Sequence, residues 1–111
     1  MFVYVFTLPA TTAWWRGLLT DVPAGFTDED GRRTLAISEI LVREPWRRQH
    51  VGRRLHDMFL SGRSEERATL LVEPDNRPAQ AAYAAWGWCK VAQLRPGWAG
   101  APLYDVLVLE R

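Results

Sequence analysis

From residue 34 onward the apolar pattern switches repeatedly between a period of two and a helical period, and this switching restricts the chain to a sheet with helices laid on it. Residues 34–43 alternate and are rich in apolar side chains, as a central strand requires. Glu44 and Pro45 break that pattern. Across residues 48–61 apolar residues fall at Val51, Leu55, Met58 and Phe59, among others, which gives a helix one apolar face. Gly62 suits its exit. Residues 68–73 read as a short buried strand. Pro78 fits the first turn of a second helix, which runs to about Trp86 and stops at Gly87. Residues 88–94 and 104–109 are two final strands, joined by a loop holding Pro96, Gly97, Gly100 and Pro102. Strands linked through helices should run parallel, with right-handed crossovers, and the last two strands can pair antiparallel. The expected fold class is therefore α/β with a mixed sheet, in one domain spanning residues 1–111.

Ahead of this series, residues 2–7 are β-branched and aromatic and read as a strand ended by Pro9. The first eight residues lack a basic leader and a small-residue cleavage site, so they do not resemble a signal peptide. Thr11 or Thr12 would cap a short helix through Trp14, Trp15, Leu18 and Leu19. Residues 21–33, with Pro23, Gly25 and the acidic run Asp28, Glu29 and Asp30, read as a loop. A net charge of +1 provides no global field toward nucleic acid or membranes. One cysteine excludes an internal disulfide, and the default location is the cytoplasm. With two histidines and that single cysteine, no metal site is expected. Cys89 reads as a small buried hydrophobe and His56 as a helix surface residue. The Trp14–Trp15 pair either lines an acceptor pocket or, more commonly for such a pair, belongs to the core or an interface.

The richest chemistry lies where the strand of residues 34–43 gives way to a helix. A helix start offers backbone N–H groups without helical partners, and with the helix dipole they form an anion site. Arg47, Arg48 and Arg53 add forked donors that match phosphate oxygens, and Gly52 permits close approach of a ligand. The plainer alternative is an amphipathic helix with a basic, solvated face.

A second segment, residues 76–88, places Ala79 and Tyr83 one helical turn apart, hence on one face. Gly87 ends the helix, and Trp88 opens the next strand facing the core. Taken singly, Tyr83 reads equally as a core aromatic and Asn76 as a turn or capping residue.

Together the two segments resemble the GNAT N-acetyltransferase superfamily, over about residues 34–111. The first is similar to its signature [RQ]-x-x-G-x-[GA], with Arg47 first, Val51 in the apolar slot and Gly52 last. His50 stands where the family usually has glycine; there it either crowds the pyrophosphate or donates to it. The second is similar to N-x-x-A-x-x-x-Y-x-x-x-G-[FW] at Asn76, Ala79, Tyr83, Gly87 and Trp88. The resemblance implies acetyl-CoA as acetyl donor, with its diphosphate on Arg47, Arg48, Gln49, His50, Val51, Gly52 and Arg53. It implies a pantetheine arm paired with the backbone of Ile40, Leu41 and Val42 in a gap between splayed strands, beside Asn76, Ala79 and Tyr83. Glu39 is then the candidate base for the acceptor amine and Tyr83 the acid for the leaving thiolate.

The family's domain begins with a strand and helices that have no counterpart before residues 2–7. Their absence is expected to leave an apolar sheet edge and face, to be covered by a homodimer or by chain encoded upstream. The expected activity is acetyl transfer to a primary amine of a small molecule or protein. A silent relative that binds CoA or a protein partner as a regulatory module is the alternative, and nucleic-acid binding is a distant third.

Overall fold

The computed structural model of the chain describes residues 3–39, 57, 58 and 60–110, and for Val3, Tyr4, Ser38 and Glu39 it describes the backbone alone. Among these residues five strands form one sheet: β1 (Val3–Thr7), β2 (Thr34–Glu39), β3 (Arg67–Val72), β4 (Cys89–Leu94) and β5 (Tyr104–Glu110). Their order is β1-β2-β3-β5-β4. β2 and β3 run parallel, and every other neighbouring pair is antiparallel. The long connection from β2 to β3 permits the parallel crossover, while β5 folds back against β4 as a hairpin partner. The expected mixed sheet is thus present, with strand ends within a residue or two of those expected wherever residues are described.

A helix at Arg77–Ala85 packs on one face of the sheet. Asp57, Met58 and Leu60 are helical too, and Gly62 follows with a left-handed φ of 72°, as an exit glycine should. The core on this face joins Leu35, Ile37, Leu60, Leu70, Tyr83 and Trp88. Alternation along the strands explains the membership: Leu35 and Ile37 point to the helix, and Ala36 points away.

On the opposite face the structure departs from expectation. The segment between β1 and β2 holds no helix at Trp14–Leu19; it crosses the sheet as turns. Thr12 does cap, but only a local turn, its Oγ1 accepting from the Trp14 N–H at 3.1 Å. The backbone then turns at Gly17, φ 86°, and pairs with the far edge strand: Leu18 bridges Leu94, and the Leu19 N–H donates to the Gln93 carbonyl at 2.8 Å. Hydrogen-bonding groups that would close a helix are taken by the sheet edge instead. A Cβ on Gly17 would sit 2.1 Å from the Arg95 carbonyl oxygen, so this crossing requires glycine.

The segment buries its own core of Leu8, Trp15, Ala36, Ala92, Leu94 and Val106, with Trp14, Leu18, Val22 and Phe26 against it. It therefore covers the face expected to lie bare. What fastens it is a buried ion pair. Arg67, 2% exposed, donates to Glu29 Oε2 at 2.9 Å, to Thr34 Oγ1 at 2.8 Å and to the Phe26 carbonyl. Trp15 Nε1 and Thr34 Oγ1 each donate to the same Glu29 oxygen at 2.9 Å. The guanidinium lies 4.5 Å from the Phe26 ring centroid and 5.3 Å from that of Trp15, within cation–π range.

Cys89 is exposed, contrary to expectation. β4 is an edge strand with a bulge between Lys90 and Ala92, and its first residues face solvent. Trp88, one residue earlier, takes the buried position.

Candidate functional site: a fork in the sheet

Among the described residues, the β2–β3 register runs from Thr34↔Arg67 to Ile37↔Leu70 and no further. β2 nevertheless stays paired with β1 as far as Glu39, and β3 stays paired with β5 as far as Val72. Each strand keeps its outer neighbour while losing its inner one, so the sheet forks at the carboxyl ends of its two parallel strands. Ligands of open α/β sheets characteristically bind at that end. Among the described residues, Ser38 and Glu39 of β2 and Leu71 and Val72 of β3 have no ladder partner across this gap, which suits an extended ligand bound in the manner of an added strand.

The Arg77–Ala85 helix stands beside the fork. Asn76 caps it, its Oδ1 accepting from the Ala79 N–H at 3.4 Å, and Pro78 occupies the first turn. Ala79 and Tyr83 are both buried on its inner face. The helix ends in a Schellman arrangement: the Trp88 N–H donates to the Tyr83 carbonyl at 3.0 Å and the Gly87 N–H to that of Ala84 at 3.2 Å, with Gly87 at φ 98°. Such a cap is usually sealed by an apolar contact between the residues that Tyr83 and Trp88 occupy here; their ring centroids lie 5.8 Å apart. The spacing of tyrosine, glycine and tryptophan is thus also the spacing of a sealed helix end. Tyr83 shares its core with Ile37 and Leu70, the last pair before the fork.

On the other face a cavity of about 550 Å³ opens at the same end of the sheet. Trp14, Ile37, Leu71, Leu94, Trp98 and Tyr104 form most of its wall, and Arg16 is the only charged residue among the described lining. Ile37 belongs to the helix-side core, whereas Trp14, Leu71 and Leu94 belong to the opposite layer, so the cavity reaches the fork. Burial pushes the Tyr104 phenol above its ordinary 10.0, and the Glu73 carboxylate pushes it the same way. The phenol therefore stays protonated at neutral pH.

The profile of the acetyltransferase (GNAT) family matches residues 6–88, well over half of the 111-residue chain. The chain belongs to the GNAT family. Its function is accordingly of the acetyltransferase type. Neither a curated protein nor a solved structure gives a significant match.

The GNAT match ends at Trp88, the last residue of the second motif. Of the site residues expected from sequence, Asn76, Ala79 and Tyr83 come together on one helix beside the fork, and the Glu39 backbone ends β2 at its mouth. Ile40, Leu41, Val42, Arg47, Arg48, Gln49, His50, Val51, Gly52 and Arg53 lie outside the described residues, as does His56. The tryptophan pair divides: Trp15 is core and Trp14 lines the cavity. Sequence reading missed Arg16, Trp98, Tyr104 and Glu73, which sit on separate loops and strands with no common spacing to link them. No described helix is long and apolar enough to cross a membrane, and among the described residues no cluster of metal-binding side chains occurs.

Proposed function

We propose that this GNAT protein is an acetyl-CoA-dependent N-acetyltransferase acting on a primary amine. The observation that supports the reading most is the fork: β2 and β3 part after Ile37↔Leu70, where an acyl-carrying arm could pair with the free edge of β2. In this reading Ile40, Leu41 and Val42 hold the arm. Arg47, Arg48, Gln49, His50, Val51, Gly52 and Arg53 hold the diphosphate, and Asn76 and Ala79 shape the helix that lies along it.

The residues then have three tasks. Bringing amine and thioester together removes most of the entropic barrier. Glu39, at the mouth of the fork, accepts the proton that the amine must lose, directly or through water. The amine nitrogen bonds to the acetyl carbonyl carbon, the carbon–sulfur bond breaks, and Tyr83 gives the departing sulfur its proton. Tyr83→Phe is expected to lower kcat by about 100-fold with little change in acetyl-CoA affinity. Unchanged turnover in that variant would remove Tyr83 from the chemistry and leave it only its place in the helix cap. A cytoplasmic site of action and a homodimer joined along the outer edge of β1, where Phe6 is exposed, belong to the same proposal.

The decisive experiment has two arms. Saturable thermal stabilisation by acetyl-CoA reports binding. Thiol release across a panel of amines reports transfer. Stabilisation without release by any amine would leave a silent CoA-binding module, with His50 the first residue to replace by glycine. Absence of both would sink the reading.

A further inference from the structure

The cavity has a composition that narrows the acceptor. At about 550 Å³ it lies within the range of small-molecule pockets and is far smaller than a protein-binding groove. Two indoles, Trp14 and Trp98, and the Tyr104 ring stand in its wall with Leu71 and Leu94. Such a surface favours a flat, apolar body, and the Arg16 cation in the same wall disfavours a polyamine chain. Trp98 is 61% exposed, a large apolar side chain left at the rim where a ring could cover it. Charge narrows the choice again. The only charged residue among the described lining is the cation Arg16, whose planar fork matches a carboxylate. Tyr104, also in the wall, lies in the field of the Glu73 carboxylate, which suits an ammonium and repels an acid.

From this arrangement we infer that the cavity is an acceptor pocket for an aromatic amine bearing a carboxylate, the chemistry of an aromatic α-amino acid. The ring lies between Trp14 and Trp98, the carboxylate meets Arg16, and the amino group faces Tyr104 and the fork. The segment between β1 and β2, which contributes Trp14 and Arg16, thereby acts as a specificity wall as well as a cover. The pocket's choice of ring and acid rests on the cavity alone. That the bound amine becomes acetylated rests on the transferase reading.

The test separates the two. With acetyl-CoA present, kcat/KM is measured for L-phenylalanine, phenethylamine and putrescine. L-Phenylalanine is expected to exceed phenethylamine about tenfold, and phenethylamine to exceed putrescine by at least as much. Arg16→Ala should erase the first advantage, and Trp98→Ala the second. Both side chains are exposed, so neither change threatens the fold. Direct binding of L-phenylalanine is followed in parallel through tryptophan fluorescence, without acetyl-CoA, for the wild type and Arg16→Ala. Saturable binding that weakens in Arg16→Ala upholds the pocket even if no amine releases thiol, an outcome that would reject the transferase reading alone. No saturable binding up to roughly 10 mM overturns the pocket, whatever amines are acetylated. Putrescine turned over as well as L-phenylalanine overturns it too, while leaving the transferase reading intact.

Discussion

The two faces of the sheet are held by different physics. The helix face is assembled from local signals: a capping asparagine, a proline in the first turn, two small or aromatic residues one turn apart, and a glycine exit sealed by tryptophan. The opposite face is covered by a segment with no regular structure, fastened by a charge pair that joins Glu29 of a loop to Arg67 of a strand 38 residues later. Local signals are individually worth tenths of a kcal/mol to about 1 kcal/mol. A buried pair, once formed, is costly to break because the surviving partner is left charged in a poor solvent. The comparison implies that the face readable from sequence is the energetically gentler one.

The sharpest way to break that comparison is Glu29→Ala. It leaves the Arg67 guanidinium buried, with Thr34 and the Phe26 carbonyl as its remaining polar partners among those described. The expected loss is about 3–5 kcal/mol of folding stability, read from urea or thermal unfolding. Replacing both partners by apolar residues, Glu29→Leu with Arg67→Met, should recover much of it, since no stranded charge remains. A loss below about 1 kcal/mol in the single variant would mean that the covering segment is held by its aromatic residues and that the pair is incidental.

Gly17→Ala tests the same face at a different point. An alanine there must adopt a left-handed φ and bring its Cβ against the Arg95 carbonyl. The expected cost is roughly 2 kcal/mol, with loss of the Leu19-to-Gln93 hydrogen bond visible as faster amide exchange at Leu19. The neighbouring Arg16 would move with it, so L-phenylalanine binding should weaken in parallel. Weakened binding without any loss of stability would separate the wall of the cavity from its scaffold.

How far the sequence could be read follows from the range of each signal. The strands, their approximate ends and the parallel pair were legible because strand and helix periods are properties of ten or so neighbouring residues. So was the Arg77–Ala85 helix with its cap and exit. The course of residues 8–33 was not. Trp14, Trp15, Leu18 and Leu19 satisfy a helical pattern, but the edge of β4 outcompeted the helix for their backbone groups, and nothing within that stretch encodes the edge. The acidic run reads only as a loop, and its sequence does not show that Glu29 is buried, because that burial depends on an arginine that belongs to β3. Cys89 was misread because its exposure follows from β4 lying at the edge, a consequence of β5 inserting beside β3. For the site, the motif residues on the helix were legible and the cavity was not, since its described walls come from five separate stretches of chain.

The smallest expected effect sharpens the comparison from the helix side. Asn76→Ala removes the one side chain that accepts from the Ala79 N–H. The expected cost is about 1 kcal/mol, with Asn76→Asp retaining most of the stability because it preserves the acceptor and adds charge at the favourable helix end. Amide exchange at Ala79 and Gln80 should quicken in the alanine variant, while amides of the covering segment, such as Leu19 and Gly31, keep their protection relative to global unfolding. If Asn76 also touches the cofactor, as its motif position implies, Asn76→Ala will weaken acetyl-CoA stabilisation by more than Asn76→Asp does, and by more than the shared loss of helix order explains. Equal weakening in both variants would assign the asparagine to the cap alone, and its place in the motif would then be explained by the helix it starts.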